Sequence, residues 1–193
     1  YNWRPSDKAI EILEEIDDEH FTTELAKYNL EINLDPFELK DDCFDQIEAQ
    51  LNQLLQKAKT AAEKFEARKI LAGILPTISK NEVRKEYMTP SPRYWALNEM
   101  IKDLRGEDFE FHIKGTDEIS MSHDSVLMEA CNTSFQMHLQ IAPDDFISSY
   151  NWSQAIAGPV LALCCNSPLL LGRELWDETR IALFQQSIDT RDS

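Results

Sequence analysis

An α+β fold, with a mainly antiparallel sheet and helices packed on one face of it, is predicted by three observations. Short stretches alternate apolar and polar residues, as half-buried strands do. Longer stretches repeat apolar residues every three or four positions, as amphipathic helices do. Turn-rich connections pair the strands as hairpins, and neither GxGxxG nor GxxxxGK[ST] occurs, so no standard nucleotide cradle marks a doubly wound sheet.

Residues 6–16 read as a short helix, capped by Ser6, with Ile10, Leu13 and Ile16 at spacing three. Residues 17–23 read as a polar connection. Over 27–35, Tyr28, Leu30, Ile32 and Leu34 alternate with Asn29, Glu31, Asn33 and Asp35, a half-buried strand stopped by Pro36. Residues 43–69 form a long amphipathic helix, its stripe running through Phe44, Ile47, Leu51, Leu54, Ala58, Ala61 and Phe65. The repeat is short for a coiled coil, which favours ordinary packing.

Residues 70–75 read as a short apolar strand ended by Pro76. Thr89-Pro90-Ser91-Pro92 opens a helix with Tyr94, Leu97 and Ile101 inward, closed by Arg105-Gly106. Phe109, Phe111 and Ile113 alternate with Glu110, His112 and Lys114; Gly115-Thr116-Asp117 turns the chain, and residues 119–121 complete a hairpin. The next strong strand is 134–141, with Phe135, Met137, Leu139 and Ile141 on one face and Gln136, His138 and Gln140 on the other. A helix over 144–165, with a kink at Gly158-Pro159, and a last helix over 175–188 complete the prediction. Residues 1–193 carry no repeat, low-complexity tract or linker and read as a single domain.

The chain is 42% hydrophobic and 28% charged, which is globular rather than disordered. Its net charge of −16 repels nucleic acid and anionic membrane. An anionic ligand would need a metal or an arginine cluster to reverse that field locally. The four cysteines, Cys43, Cys131, Cys164 and Cys165, form no CxxC pair, which fits a reduced, cytoplasmic protein. The longest apolar stretch, 155–165, is too short for a membrane span.

Two polar strand faces are the candidate site. One presents Glu31 and Asn33, the other Gln136, His138 and Gln140. If the strands are neighbours, these supply oxygen ligands for a hard cation and an imidazole for metal or phosphate. The competing reading is an ordinary wet sheet face. Arg173, Arg180 and Arg191 are candidate anion grips, competing with plain ion pairing to Glu174, Asp177, Glu178 or Asp189. Ser122-His123-Asp124-Ser125 reads as a turn with a helix cap, since adjacent residues cannot converge as a triad. His20 and His112 read as surface residues, without nameable partners.

The stretches Glu24-Leu25-Ala26-Lys27-Tyr28-Asn29-Leu30-Glu31-Ile32-Asn33 and Asn132-Thr133-Ser134-Phe135-Gln136-Met137-His138-Leu139-Gln140 resemble two strands of the glutamate–cysteine ligase type 2 (carboxylate–amine ligase) family. Asn166-Ser167-Pro168, Gly172-Arg173, Thr179-Arg180 and Asp189-Thr190-Arg191 resemble the helix-and-loop region that follows. The likeness is greatest to a bacterial subgroup whose members often carry CBS domains, a module absent from these residues.

The resemblance implies part of a glutamine-synthetase-like fold and membership of a larger catalytic domain. It implies joining of a glutamate-type carboxylate to an amine through an acyl phosphate, with ATP and Mg²⁺ or Mn²⁺. Glu31, Gln136 and His138 would serve metal or phosphate, and Asn33 and Gln140 would line the substrate. Arg180 would grip an anionic substrate, assisted by Arg173 or Arg191. The family's Glu-x-Glu pair and its last catalytic strands have no counterpart in the 193 residues, so they lack a complete ATP site by themselves. Glu-Ile-Asn stands where some ligases have Glu-Leu-Ser-Gly, so the amine need not be cysteine. An unpaired sheet edge predicts a tendency to form a homodimer.

Overall fold

The computed structural model describes residues 3–189 and has the α+β class. Among the described residues the strands form three separate antiparallel pairs rather than one sheet. The first unit is built from α1 (Ala9–Ile16), β1 (Phe21–Thr23), β2 (Leu30–Ile32) and α2 (Cys43–Lys64). Ile12 packs with Ala61, Ala62 and Ala67; Phe21 packs with Leu54 and Ala58. The stripe of α2 is therefore buried in its C-terminal half, while Phe44 in the first turn stays 60% exposed. The helix stops at Lys64, and Glu66 takes a left-handed φ of 55°. Within 17–23 the chain pairs Phe21 with Ile32 and Thr23 with Leu30 as a strand. Only 30–32 of the expected strand 27–35 is paired, because the chain turns at 26–29, where the Asn29 amide donates to Ala26 O at 3.1 Å.

The second unit holds α3 (Pro92–Arg105), β3 (Phe109–Lys114), β4 (Glu118–His123) and α5 (Arg180–Ile188). Pro92 opens α3, and Gly106 closes it at φ 75°, the left-handed cap that glycine adopts without Cβ strain. Tyr94 and Ile101 are inward as expected, but Leu97 is 37% exposed. The β3–β4 hairpin forms in the predicted place, with Phe109, Phe111 and Ile113 buried and their neighbours exposed. That face packs with Val126, Leu127 and Met128 from a 3-10 turn at Val126–Cys131, and with Leu183 from α5. Ser125 Oγ accepts from the Leu127 amide at 3.3 Å, which makes the Ser122–Ser125 stretch a turn and cap.

Three expectations are corrected. Residues 70–75 form no strand: Ile74 makes one isolated bridge to Asn132, and Leu71 is 73% exposed. Residues 134–141 run without a ladder partner, and their apolar face is exposed. Alternation specifies a strand's faces but not its neighbour, and no described strand lies alongside. The last helix begins at Arg180, not 175, because Thr179 Oγ1 closes a turn by accepting from the Trp176 amide at 3.1 Å. Just before it lies a hairpin of β5 (Leu169–Leu170) and β6 (Arg173–Glu174). Leu171 and Gly172 both have positive φ, 49° and 77°, the geometry of a tight two-residue hairpin turn.

The apolar helix α4 (Phe146–Cys164) has no buried residue and runs through Pro159 as one helix. No helix among the described residues is long and apolar enough to cross a membrane. All four cysteines are free thiols.

Candidate functional site

The β1–β2 register places Glu31 opposite Thr22. Glu24 lies just past the end of β1, and its carboxyl interacts with Glu31. Burial holds the Glu24 carboxyl above its usual range; Glu31 adds to this, while the Leu25 amide, donating at 3.0 Å, opposes it. Arg93, at the start of α3, lies 4.4 Å over the Tyr94 ring and donates to the Tyr94 hydroxyl. That hydroxyl donates to Thr23 O at 2.9 Å, which ties α3 to the end of β1. The Tyr94 hydrogen bond raises the Arg93 guanidinium further above its ordinary range, and the Glu24 and Glu31 charges contribute.

A third carboxylate reaches this region from Val126–Cys131. Burial pushes Glu129 up to about 7, and the Glu24 charge adds to the effect. Asn29 Nδ2 donates to Ala130 O at 2.8 Å and fastens the two segments together. Burial pushes the Cys131 thiol up to about 12, which leaves it inert as a nucleophile. Among the described residues, Tyr28 Oη and both side-chain amide atoms of Asn132 are buried without a hydrogen-bond partner.

The donor chemistry at Glu24 and Glu31 fits a hard divalent cation. The Glu31 charge disfavours ionisation of Glu24, and a cation between them would reverse that. The full predicted set is not gathered. Among the described residues no group of three or more His, Cys, Asp or Glu is placed to hold a metal. Gln136, His138 and Gln140 are exposed, and Gln136 bonds only locally, to Ser134 Oγ at 3.4 Å. Asn33 is exposed, with its amide bonded to His20 O at 2.7 Å.

The segment carrying Gln136 and His138 is anchored at its root. The Thr133 amide donates to Gly73 O at 2.9 Å, and its hydroxyl donates to Ala72 O. Arg180 Nη1 donates to Thr133 O. The same guanidinium forks onto Glu178, through Nε and through Nη2 at 2.9 Å. Glu178 is buried and also accepts from Ser167 Oγ at 2.7 Å. The Arg180 contact, with Ser167 assisting, holds the Glu178 carboxyl below its usual range. Arg180 thus takes the ion pairing weighed as its alternative role. Three of its five N–H donors are used, and two remain for an anion.

Arg173 is exposed on β6, and Arg191 lies outside the described residues. Glu24 and Glu129 escaped sequence reasoning, whereas Glu178 was among the ion-pair partners weighed for Arg180. The signal for Glu24 was its spacing of seven from Glu31, readable only with a turn between two strands. A surface cleft lined by Lys59, Glu63, Arg68 and Lys69 contains none of the predicted residues. His20 and His112 do have partners: His20 Nδ1 lies 2.6 Å from Asp18, and His112 Nε2 lies 2.8 Å from Glu118.

The model of the family described as Glutamate-cysteine ligase family 2 (GCS2) matches residues 1–192, and the chain belongs to that family. No curated protein and no solved structure matches it.

Proposed function

We propose that this member of glutamate–cysteine ligase family 2 takes part in ATP-dependent joining of a glutamate-type carboxylate to an amine through an acyl phosphate. The family match over residues 1–192 carries this reading. The crowded carboxylates support it, since phosphoryl transfer needs a divalent cation beside the phosphates. When bound, Mg²⁺ or Mn²⁺ supplies neutralisation of phosphate charge. Glu31 would hold the cation, and Gln136 and His138 would serve as further ligands or phosphate contacts. Asn33 and Gln140 orient the amino-acid substrate by hydrogen bonds. Arg180 presents its two remaining donors to the anionic substrate, and Arg173 and Arg191 assist. Burial of Glu24 beside Glu31 lowers the local dielectric there, which would strengthen a cation's contact with Glu31. ATP and amino acids are the partners, and the cytoplasm is the location.

The test is ADP release by the full-length protein with Mg²⁺-ATP, glutamate and a panel of amines, beside Glu31→Gln and Arg180→Ala. Amine-dependent turnover that falls at least ~10–100-fold in both variants supports the assignment. Absence of turnover with every amine, with ATP or glutamate binding unchanged in the variants, rejects it and leaves a binding module without catalysis.

A further inference from the structure

Thr133 is the last point at which the segment bearing Gln136 and His138 is tied to the body of the protein. Its amide, carbonyl and hydroxyl are all engaged, by Gly73, Arg180 and Ala72. From 134 to 141 there is no ladder hydrogen bond. Extended chain advances about 3.3 Å per residue, so Gln136 can reach at most roughly 10 Å beyond the anchor and His138 roughly 17 Å.

The guanidinium that grips the Thr133 carbonyl is itself aimed by one carboxylate. Glu178 takes two of its N–H groups in a fork, and the buried Ser167 hydroxyl fixes the carboxylate from behind. The position is also built around from another side. A Cβ on Gly73 would stand 2.2 Å from Asn166 Oδ1 and 2.9 Å from Arg180 Nε, so a side chain there would push both the Asn166 amide and the guanidinium aside. A surface ion pair alone would not need the buried hydroxyl.

We propose that Glu178 is a positioning residue: by orienting Arg180 it fixes Thr133 O and so anchors the root of the segment that carries Gln136 and His138. This rests on the ligase reading for its consequence, though not for its geometry. Glutamine at 178 keeps the shape but offers one acceptor in place of two, so the fork is lost.

The experiment compares full-length wild type with Glu178→Gln, Gly73→Ala and, as a control of stability alone, Leu183→Ala, which truncates a fully buried side chain of α5. Two quantities are read: hydrogen exchange of a peptide over 132–136 without ligands, and the Mg²⁺ concentration for half-maximal turnover. Glu178→Gln and Gly73→Ala are expected to speed exchange over 132–136 and to raise the Mg²⁺ requirement, each by about tenfold. Leu183→Ala should lower thermal stability and change neither. Unchanged exchange over 132–136 in Glu178→Gln, or equal effects in Leu183→Ala, overturns the proposal. If the wild type shows no turnover, the ligase reading fails, and the exchange comparison alone decides whether Glu178 positions the segment.

Discussion

Glu129 shows how one side chain couples the candidate site to pH. Its carboxyl rises from an ordinary 4.5 to about 7 because it is buried, with Glu24 adding repulsion. The folded chain therefore holds a proton that the unfolded chain releases. The stability this contributes is whole below about pH 4.5 and is lost as pH rises to about 7. Glu129→Gln keeps the shape and removes the ionisation. In metal-free buffer it is expected to stabilise the protein by about 1–3 kcal/mol at pH 8. Little or no gain is expected at pH 4.5. Urea unfolding at the two pH values measures the difference, and an equal effect at both would refute the burial argument. Glu178 reads the opposite way: its carboxyl is held low, so its contribution is present above the ordinary glutamate range and fades as pH falls.

At the scale of elements, legibility followed locality. The β3–β4 hairpin was readable because its alternation and its Gly115-Thr116-Asp117 turn are contiguous in sequence. Helices α2 and α3 were readable from periodicity and from Pro92 and Gly106. The 134–141 alternation was equally clear, yet it defines only faces, and a partner strand lies beyond what periodicity encodes. Ion pairing of Arg180 was weighed among four carboxylates, but that it forks onto Glu178 was unreadable for a related reason. Residues two apart do not face each other on a helix, and the pair meets because Thr179 closes a turn there. Contacts between elements also fix which glycines matter. Gly115 N donates to Asp117 O at 2.8 Å, and the Asp117 amide donates to Glu174 O at 2.7 Å, which docks the hairpin tip on β6. A Cβ at 115 would fall 2.4 Å from the Leu175 carbonyl carbon, and backbone cannot yield as a side chain can. Gly115→Ala is therefore expected to destabilise by about 1–3 kcal/mol, the usual range for overpacking. Chemical denaturation measures it, and an unchanged midpoint would show that the β6 loop moves aside freely.

For the whole molecule, the balance between acidic charge and uncovered apolar surface decides its behaviour in solution. The net charge of −16 opposes contact between copies. Against it, Ile147 is 74% and Leu163 89% exposed on α4, and Phe135 is 63% and Met137 62% exposed on the unpaired segment. Burying one such side chain is worth about 1.5–3 kcal/mol. Charge repulsion between surfaces is screened beyond about 8 Å at physiological ionic strength, so apolar contact wins once copies meet. The 193-residue chain is expected to self-associate with rising concentration, and more strongly in higher salt. Sedimentation velocity over a hundredfold range of concentration, at low and at physiological salt, measures this. An Ile147→Lys, Leu163→Lys double variant separates the two forces. It lowers the net negative charge, which by itself would favour association, while removing apolar surface. Weaker association in that variant identifies apolar contact through α4 as the cause. Association equal to or stronger than wild type removes α4 from the contact, and a monomer at every concentration and salt refutes the expectation.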